Sequence, residues 1–350
     1  MKIFNFLFLL SSGLFLTGCL SEKKAGETGI AVIPAFYHWK TEFTPTKTEW
    51  NIVRQNNVKE IYLRFFDVSW DNTFSKPAPI AQVRIPAKDI FTKEKIRVIP
   101  TVFITNECIK NISIDQCDSL AKNIYKLIND IIAVNDIGSV NEIQIDCDWT
   151  ASTKEKYFSL LQTLQKIDTL HLYSATIRLF QVKYKKDAGI PPVKKGLLMC
   201  YNMGSLKNPV TQNSILNNAD LENYVEGLNA YPLPLDVALP LFSWHVLFRK
   251  NEYKGLLQEI NNDELKAVSK QPGKNRFEIL GDTLWNNVPL KKGDVLRFEN
   301  SSYKNIMEAA AILKKKLHNK TFRLSLYHLD SIILSKYSTH EIENIFNSLY

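Results

Sequence analysis

Eight short runs rich in β-branched and aromatic residues recur down the chain, at 31–39, 60–68, 96–104, 142–149, 171–178, 196–203, 235–244 and 322–330. Most are separated by stretches of helical period. That alternation leaves few folds open. The runs are almost continuously apolar rather than alternating, as parallel strands are when helices cover one face and a packed interior the other. Eight such strands predict an α/β fold, a (β/α)8 barrel, with a doubly wound sheet as its competitor.

The intervening helices are readable from their stripes and caps. Ser152-Thr153-Lys154-Glu155 reads as a capping box opening a helix that carries Tyr157, Leu160, Leu161, Leu164 and Ile167 on one face. Leu120, Ile124, Leu127, Ile128 and Ile131 form a second stripe, and Leu221, Tyr224, Val225 and Leu228 a third. A second capping box, Ser338 to Glu341, opens a last helix that buries Ile342, Ile345, Phe346 and Leu349. The rhythm fails once: some 57 residues separate Trp244 from the helix start at Ser302, more than one crossover needs. Within them 277–284 and 294–298 read as strands, and Gly293 as a turn. An insertion at about 246–300 after strand seven would overhang the face where barrels build their sites. It reads equally well as an excursion packed on the rim.

The start of the chain has a different character. Lys2, the apolar run at 3–10 and the closing Leu16-Thr17-Gly18-Cys19 describe an export signal over residues 1–18. The run falls short of the roughly 20 apolar residues that a membrane span requires. Leu-x-Gly-Cys resembles the lipobox of bacterial lipoproteins. The resemblance implies cleavage before Cys19 and its acylation with chains such as palmitate. Cys19 would then anchor the protein to a membrane of the cell envelope, the outer membrane or a periplasm-facing surface. Residues 19–29 follow as a polar, Gly-containing tether, and 30–350 as the barrel domain.

Composition narrows the partners. The net charge of +8 comes from scattered lysines and arginines, with runs at 183–186 and 314–316 that read as solvated faces, so no nucleic-acid partner is expected. A weak attraction to anionic lipid or polysaccharide stays open. Besides Cys19 there are four cysteines: Cys108 and Cys117 bracket a short polar loop and form a candidate disulfide in an oxidising compartment, while Cys147 and Cys200 lie in apolar runs as core thiols. No Cys/His spacing suggests a metal, and no phosphate-cradling, Gly-x-Ser-x-Gly or His-Glu-x-x-His motif occurs, so neither metal nor cofactor is expected.

The sharpest local signal lies in strand four, Asn141-Glu142-Ile143-Gln144-Ile145-Asp146-Cys147-Asp148-Trp149. Alternation puts Gln144, Asp146 and Asp148 on one face and Ile145, Cys147 and Trp149 on the other, so an amide and two carboxylates point into the barrel. Carboxylates two residues apart on a strand perturb each other and favour holding one proton between them. Such a pair suits acid catalysis at a glycosidic bond, where one group protonates and the other stabilises charge.

Here the sequence resembles the family 18 glycoside hydrolases, the chitinase-like barrels. Their strand-four signature Asp-x-x-Asp-x-Asp-x-Glu overlays on Asn141-x-x-Gln144-x-Asp146-x-Asp148, and their Met-x-Tyr-Asp on Met199-Cys200-Tyr201-Asn202. The resemblance implies that Asp148 is the general acid, that Asp146 and Tyr201 stabilise a substrate-assisted intermediate, and that Gln144 and Asn202 face the sugar. Gln-x-Asp-x-Asp with an aromatic first strand is also similar to a group of uncharacterised bacterial lipoproteins expected to hold such a barrel. Four departures stand out, the first being Asn141 in place of the signature's leading aspartate. Asp148 is one methylene shorter than the family's glutamate, and Gln144 and Asn202 are neutral where the family has carboxylates.

Other strand ends supply further binding candidates: His38 and Trp39, Asp67, Arg178, Trp244 after Ser243, and His328 with Asp330. Aromatic rings suit a sugar's apolar face, and His, Asp and Arg suit its hydroxyls. A carbohydrate ligand is therefore expected. Three readings stay open: a glycoside hydrolase acting on an N-acetylated polysaccharide or glycan, a noncatalytic glycan-binding lipoprotein with a degenerate site, and a structural lipoprotein whose carboxylates only pair within the barrel.

Overall fold

The computed structural model describes residues 31–350 apart from 259, 261, 286 and 318–320. The signal, Cys19 and the tether therefore lie outside the described residues. Eight parallel strands close on themselves: β1 (Ala31–His38), β2 (Glu60–Asp71), β3 (Arg97–Ile104), β4 (Glu142–Cys147), β5 (Leu172–Arg178), β6 (Lys195–Met199), β7 (Leu235–Pro240) and β8 (Thr321–Tyr327). Each pairs with the next, and β8 pairs with β1, so the chain is a (β/α)8 barrel and not an open doubly wound sheet.

The outward face of the strands is sealed by amphipathic helices. Gln116–Val134 buries Leu120, Ile124, Ile128 and Ile131, and Lys154–Ile167 buries Tyr157, Leu160, Leu161 and Leu164. Ser338 and Glu341 form the expected capping box on Thr339–Asn347, and Thr46 with Glu49 forms another on Lys47–Gln55. The box expected at Ser152 does not form. Thr153 takes the cap position without a cap hydrogen bond, because its hydroxyl accepts from the Thr150 N–H at 2.9 Å and reaches Asn106 Oδ1 at 2.8 Å. No helix of the described residues is long and apolar enough to cross a membrane.

The inward face is polar at both ends. At the N-terminal end the Arg323 guanidinium of β8 donates to Glu60 of β2, to Glu142 of β4 at 2.6 Å and to Asp236 of β7 at 3.1 Å. Arg97 also contacts Glu60 at 2.8 Å, and Lys195 contacts Asp236 at 2.6 Å, so three carboxylates face three cations. Inward-pointing groups from non-adjacent strands are tied together here, on the barrel face that serves stability rather than chemistry.

Strand seven is shorter than expected. The run at 235–244 splits at Pro240, and a new strand, Ser243–Arg249, leaves the barrel to pair antiparallel with Val295–Asn300 and Glu252–Leu257. Arg276–Ile279 and Ser269–Gly273 complete a five-stranded sheet with its own small core of Leu247, Leu265, Phe277, Ile279, Leu290 and Leu296. The stretch at 277–284 is thus two strand pieces, Arg276–Ile279 and Thr283–Trp285, and not one. Trp244 belongs to this inserted sheet rather than to the end of β7.

The candidate disulfide is not formed: Cys108 and Cys117 are free thiols in this structure and both are buried. Each lies on a different helix, and the Cys117 thiol turns to the Ser113 carbonyl at 3.5 Å. Burial pushes the Cys108 thiol up to about 12, which keeps it protonated and unreactive.

Candidate active-site cleft

At the C-terminal end of the barrel a cavity of about 460 Å³ opens, with Asp146 and Asp148 on its lining. Asp146 ends the inward row of β4 and is buried, with the Thr176 hydroxyl of β5 donating to it at 2.5 Å. Asp148 lies just past the strand end, where its side chain is 42% exposed. Arg178 grips it from the end of β5 with two parallel bonds, Nε to one oxygen and Nη2 to the other at 2.7 Å. Both oxygens of Asp148 are therefore occupied as acceptors, a bidentate geometry with directional as well as charge specificity.

The two carboxyls divide in character. Burial first, and then the charge of Asp148, pushes Asp146 up to about 7, against the pull of Arg178 and of the Thr176 hydroxyl. Burial works against the Arg178 charge, but its contact with Asp148 more than offsets this and holds the guanidinium charged. A proton thus resides on the deeper carboxyl at mildly acidic pH, while the outer one is an anchored ion pair.

Aromatic rings form part of the wall. Trp39 stands edge-on to Phe103, with the Arg64 guanidinium 5.5 Å from its ring centre. A bulge in β2 between Arg64 and Phe66 turns Arg64 and Asp67 to the same side, where they form an ion pair. Asp67 therefore sits within a strand that runs on to Asp71, not at its end. Tyr327 of β8, inward on the alternation of Arg323 and Ser325, is the central ring and contacts Tyr37, Trp39, Tyr201 and Phe242 at 5.3–5.9 Å. Tyr201 lines the cleft, and its buried hydroxyl has no hydrogen-bond partner among the described residues. Next to it Asn202 has φ +54°, in the left-handed region that Asn tolerates and bulkier residues avoid.

The remaining candidates separate. His328 lines the cleft, with burial holding it down to about 4, so the ring is neutral. Asp330 lines it too, paired with Lys40 and accepting the Ile333 N–H at 3.0 Å as a helix cap. Two expected ligand residues do not reach it. Gln144 lies one layer deeper, fully buried, and accepts the Tyr37 hydroxyl at 2.5 Å. His38 follows the opposite phase of β1 from Tyr37 and Trp39, so it packs outward on Phe43 at 4.8 Å. Burial lowers that ring to about 3.

The inserted sheet contributes a wall: Ser243, Trp244 and Gln258 line the cleft. The Trp244 indole N–H donates to Glu299 at 2.7 Å, and Glu299 also takes the Ser214 hydroxyl at 2.5 Å and Arg297 at 2.6 Å. Arg297, fully buried, donates onward to the carbonyls of Asn208 and Leu206 in the loop after β6. One buried ion pair thereby fixes the insertion, that loop and the Trp244 ring together. Neither Tyr327 nor this pair was among the sequence candidates. Tyr327 was accessible from the period-two phase of β8, whereas Arg297 and Glu299 carried no signal apart from their same-face spacing. Among the described residues no group of three or more His, Cys, Asp or Glu is placed to hold a metal ion.

No protein-family model and no curated protein matches the sequence. Solved structures do match it. The spore cortex-lytic enzyme SleL of Bacillus cereus superposes with a TM-score of 0.56 at 12% identity, over 92% of this chain and 75% of that one. The chitinase of Chromobacterium violaceum gives 0.55 at 9% identity, over 91% and 98%. A mutant class V chitinase of Nicotiana tobaccum, in complex with NAG4, gives 0.51 at 10% identity, over 91% and 100%. At such identities the likeness is one of fold, the (β/α)8 barrel that these enzymes share with this chain.

Proposed function

We propose that this protein is a lipid-anchored protein of the bacterial cell envelope, held by Cys19, that binds an N-acetylated glycan in the barrel cleft without turning it over. The observation that carries the reading is the double hydrogen bond from Arg178 to Asp148. An acid catalyst must present an O–H to the glycosidic oxygen at hydrogen-bond distance. Asp148, on the overlay position of the proton-donating glutamate, has both oxygens turned to a guanidinium and is one methylene shorter. Meanwhile the features that hold a sugar are retained: Trp39, Trp244 and Tyr327 supply ring faces, and Asp67, Asp330, Lys40 and the unpartnered Tyr201 hydroxyl supply polar contacts. The oligosaccharide carried by the tobacco chitinase supports a carbohydrate as the occupant of this kind of cleft.

A second reading has one observation in its favour. Asp146, pushed up to about 7, holds a proton in the pH range where an acid catalyst needs one, so a weak hydrolase would use Asp146 as its acid. Incubating the protein with chitin oligomers, peptidoglycan fragments and N-glycans separates the two. Calorimetry is expected to show saturable binding of an N-acetylated member, and mass spectrometry is expected to show no cleaved product after prolonged incubation. Product formation that Asp146→Asn abolishes would establish the hydrolase instead, and absence of binding across the panel would remove the carbohydrate reading.

A further inference from the structure

A second cavity, of about 550 Å³, continues the cleft on the far side of the Asp148–Arg178 pair, and the two share Asp148, Arg178, Tyr201, Asn202 and Trp244. The halves differ in kind. The first carries Lys40, Asp67, Asp146, His328, Asp330 and Lys336. Among the described residues lining the second, the only charged side chains are the shared Asp148 and Arg178, and these are spent on each other. The rest of its wall is mostly Leu179, Phe180, Met203, Leu206, Tyr224 and Leu256. Of its aliphatic hydroxyls, Ser214 bonds Glu299 at 2.5 Å and Thr150 bonds Ser152 at 2.9 Å, while the buried Tyr201 hydroxyl lies on the wall shared with the first lobe.

A sugar ring buried in this half would leave several hydroxyls without partners, and each such group costs the desolvation of a polar atom with nothing in return. An alkyl or aryl group has no such debt and gains by covering apolar wall. Phe180, 38% exposed, is a large apolar side chain left open to solvent at this wall. Leu256 and Trp244 come from the inserted sheet and the other walls from the barrel, so the lobe exists only because the insertion overhangs the rim.

We infer that the ligand is amphipathic: a glycan whose polar part occupies the first lobe and whose apolar aglycone, an alkyl or aryl group at the reducing end, occupies the second. The inference rests on the glycan reading above and narrows it to glycoconjugates.

The test compares methyl and octyl β-glycosides of N,N′-diacetylchitobiose, both below micelle-forming concentration, by calorimetry on the purified protein. The octyl glycoside is expected to bind at least tenfold more tightly. Phe180→Ser and, separately, Leu256→Asp are expected to erase that advantage while leaving the methyl glycoside's Kd unchanged; Phe180 is exposed enough for its replacement to be tolerated. Equal affinities of the two glycosides for the unaltered protein would overturn the apolar lobe and leave the glycan reading standing. An octyl advantage that survives both substitutions would also overturn it, by locating the chain elsewhere. If neither glycoside binds, the glycan reading fails and this inference with it.

Discussion

Replacing Arg323 by Met is expected to cost about 3–5 kcal/mol of stability, the cost of removing one partner from a buried ion pair. The side chain is 14% exposed, and its three carboxylate partners are between 1% and 7% exposed. They do not share the loss equally. Glu60 keeps Arg97, and Asp236 keeps Lys195 and the Tyr62 hydroxyl at 3.2 Å. Among the described residues Glu142 has Arg323 as its one cation, and its second oxygen already lacks a hydrogen bond. It would be left as a buried carboxylate with no cation. Against a total stability that for ordinary domains is about 5–15 kcal/mol, the loss is a large fraction. Urea unfolding followed by circular dichroism would show a lower midpoint at an unchanged slope. Adding Glu142→Gln to Arg323→Met should recover part of the loss, because the stranded charge is then gone. A midpoint within experimental error of the unaltered protein would mean that this layer is not holding the barrel closed.

The second large effect concerns pH. Asp146 titrates near 3.8 in an exposed setting and is pushed up to about 7 here, chiefly by burial and next by Asp148. Between those values the folded protein holds a proton that the unfolded chain has released, so this carboxyl adds stability below about pH 4 and loses it as pH rises through 7. The span corresponds to about 4 kcal/mol. The raw stability profile will not show it cleanly. His38, His245 and His328 are held down to about 3, 4 and 4 by burial, so each adds stability above the usual 6.5 and loses it on acidification. The difference between the protein and Asp146→Asn cancels the histidines. The Asn variant should lose the Asp146 contribution and become relatively more stable from pH 4 towards pH 8, with the Thr176 hydroxyl now donating to the amide oxygen. A difference that is flat across that range would show that Asp146 is an ordinary ionised carboxylate.

Much of this was legible in the sequence because period and phase are local properties. The inward row of Gln144, Asp146 and Asp148 follows from alternation alone, and so does the closed barrel from eight apolar runs separated by helical stripes. The same rule, applied with stricter phase, separates Trp39 from His38 and brings in Tyr327. What resisted reading was contact between strands. Thr176 meets Asp146 and Arg178 meets Asp148 at one constant offset of 30 residues, the offset that pairs Gln144 with Ser174 in the ladder. Nothing in either segment announces that register; it is set by the helix and loops between them. The Arg323 layer is still less local, since its partners come from β2, β4 and β7. Trp244 reads in the sequence as the end of β7 for a related reason: both the barrel strand and the inserted strand are apolar, and the partner Val295–Asn300 is what distinguishes them.

These two charge layers also explain how the barrel is used. The N-terminal layer is closed, with every carboxylate facing a cation, and it supports the cylinder. The C-terminal layer is open, and there the Arg178–Asp148 pair occupies the place where the resemblance puts an acid. A crystal structure of the protein with tetra-N-acetylchitotetraose tests this most directly. The expected result is an intact oligosaccharide in the cleft, against Trp39, Trp244 and Tyr327, with Arg178 still bonded to both oxygens of Asp148. A cleaved sugar with Asp148 released from Arg178 and turned to the broken linkage would contradict it.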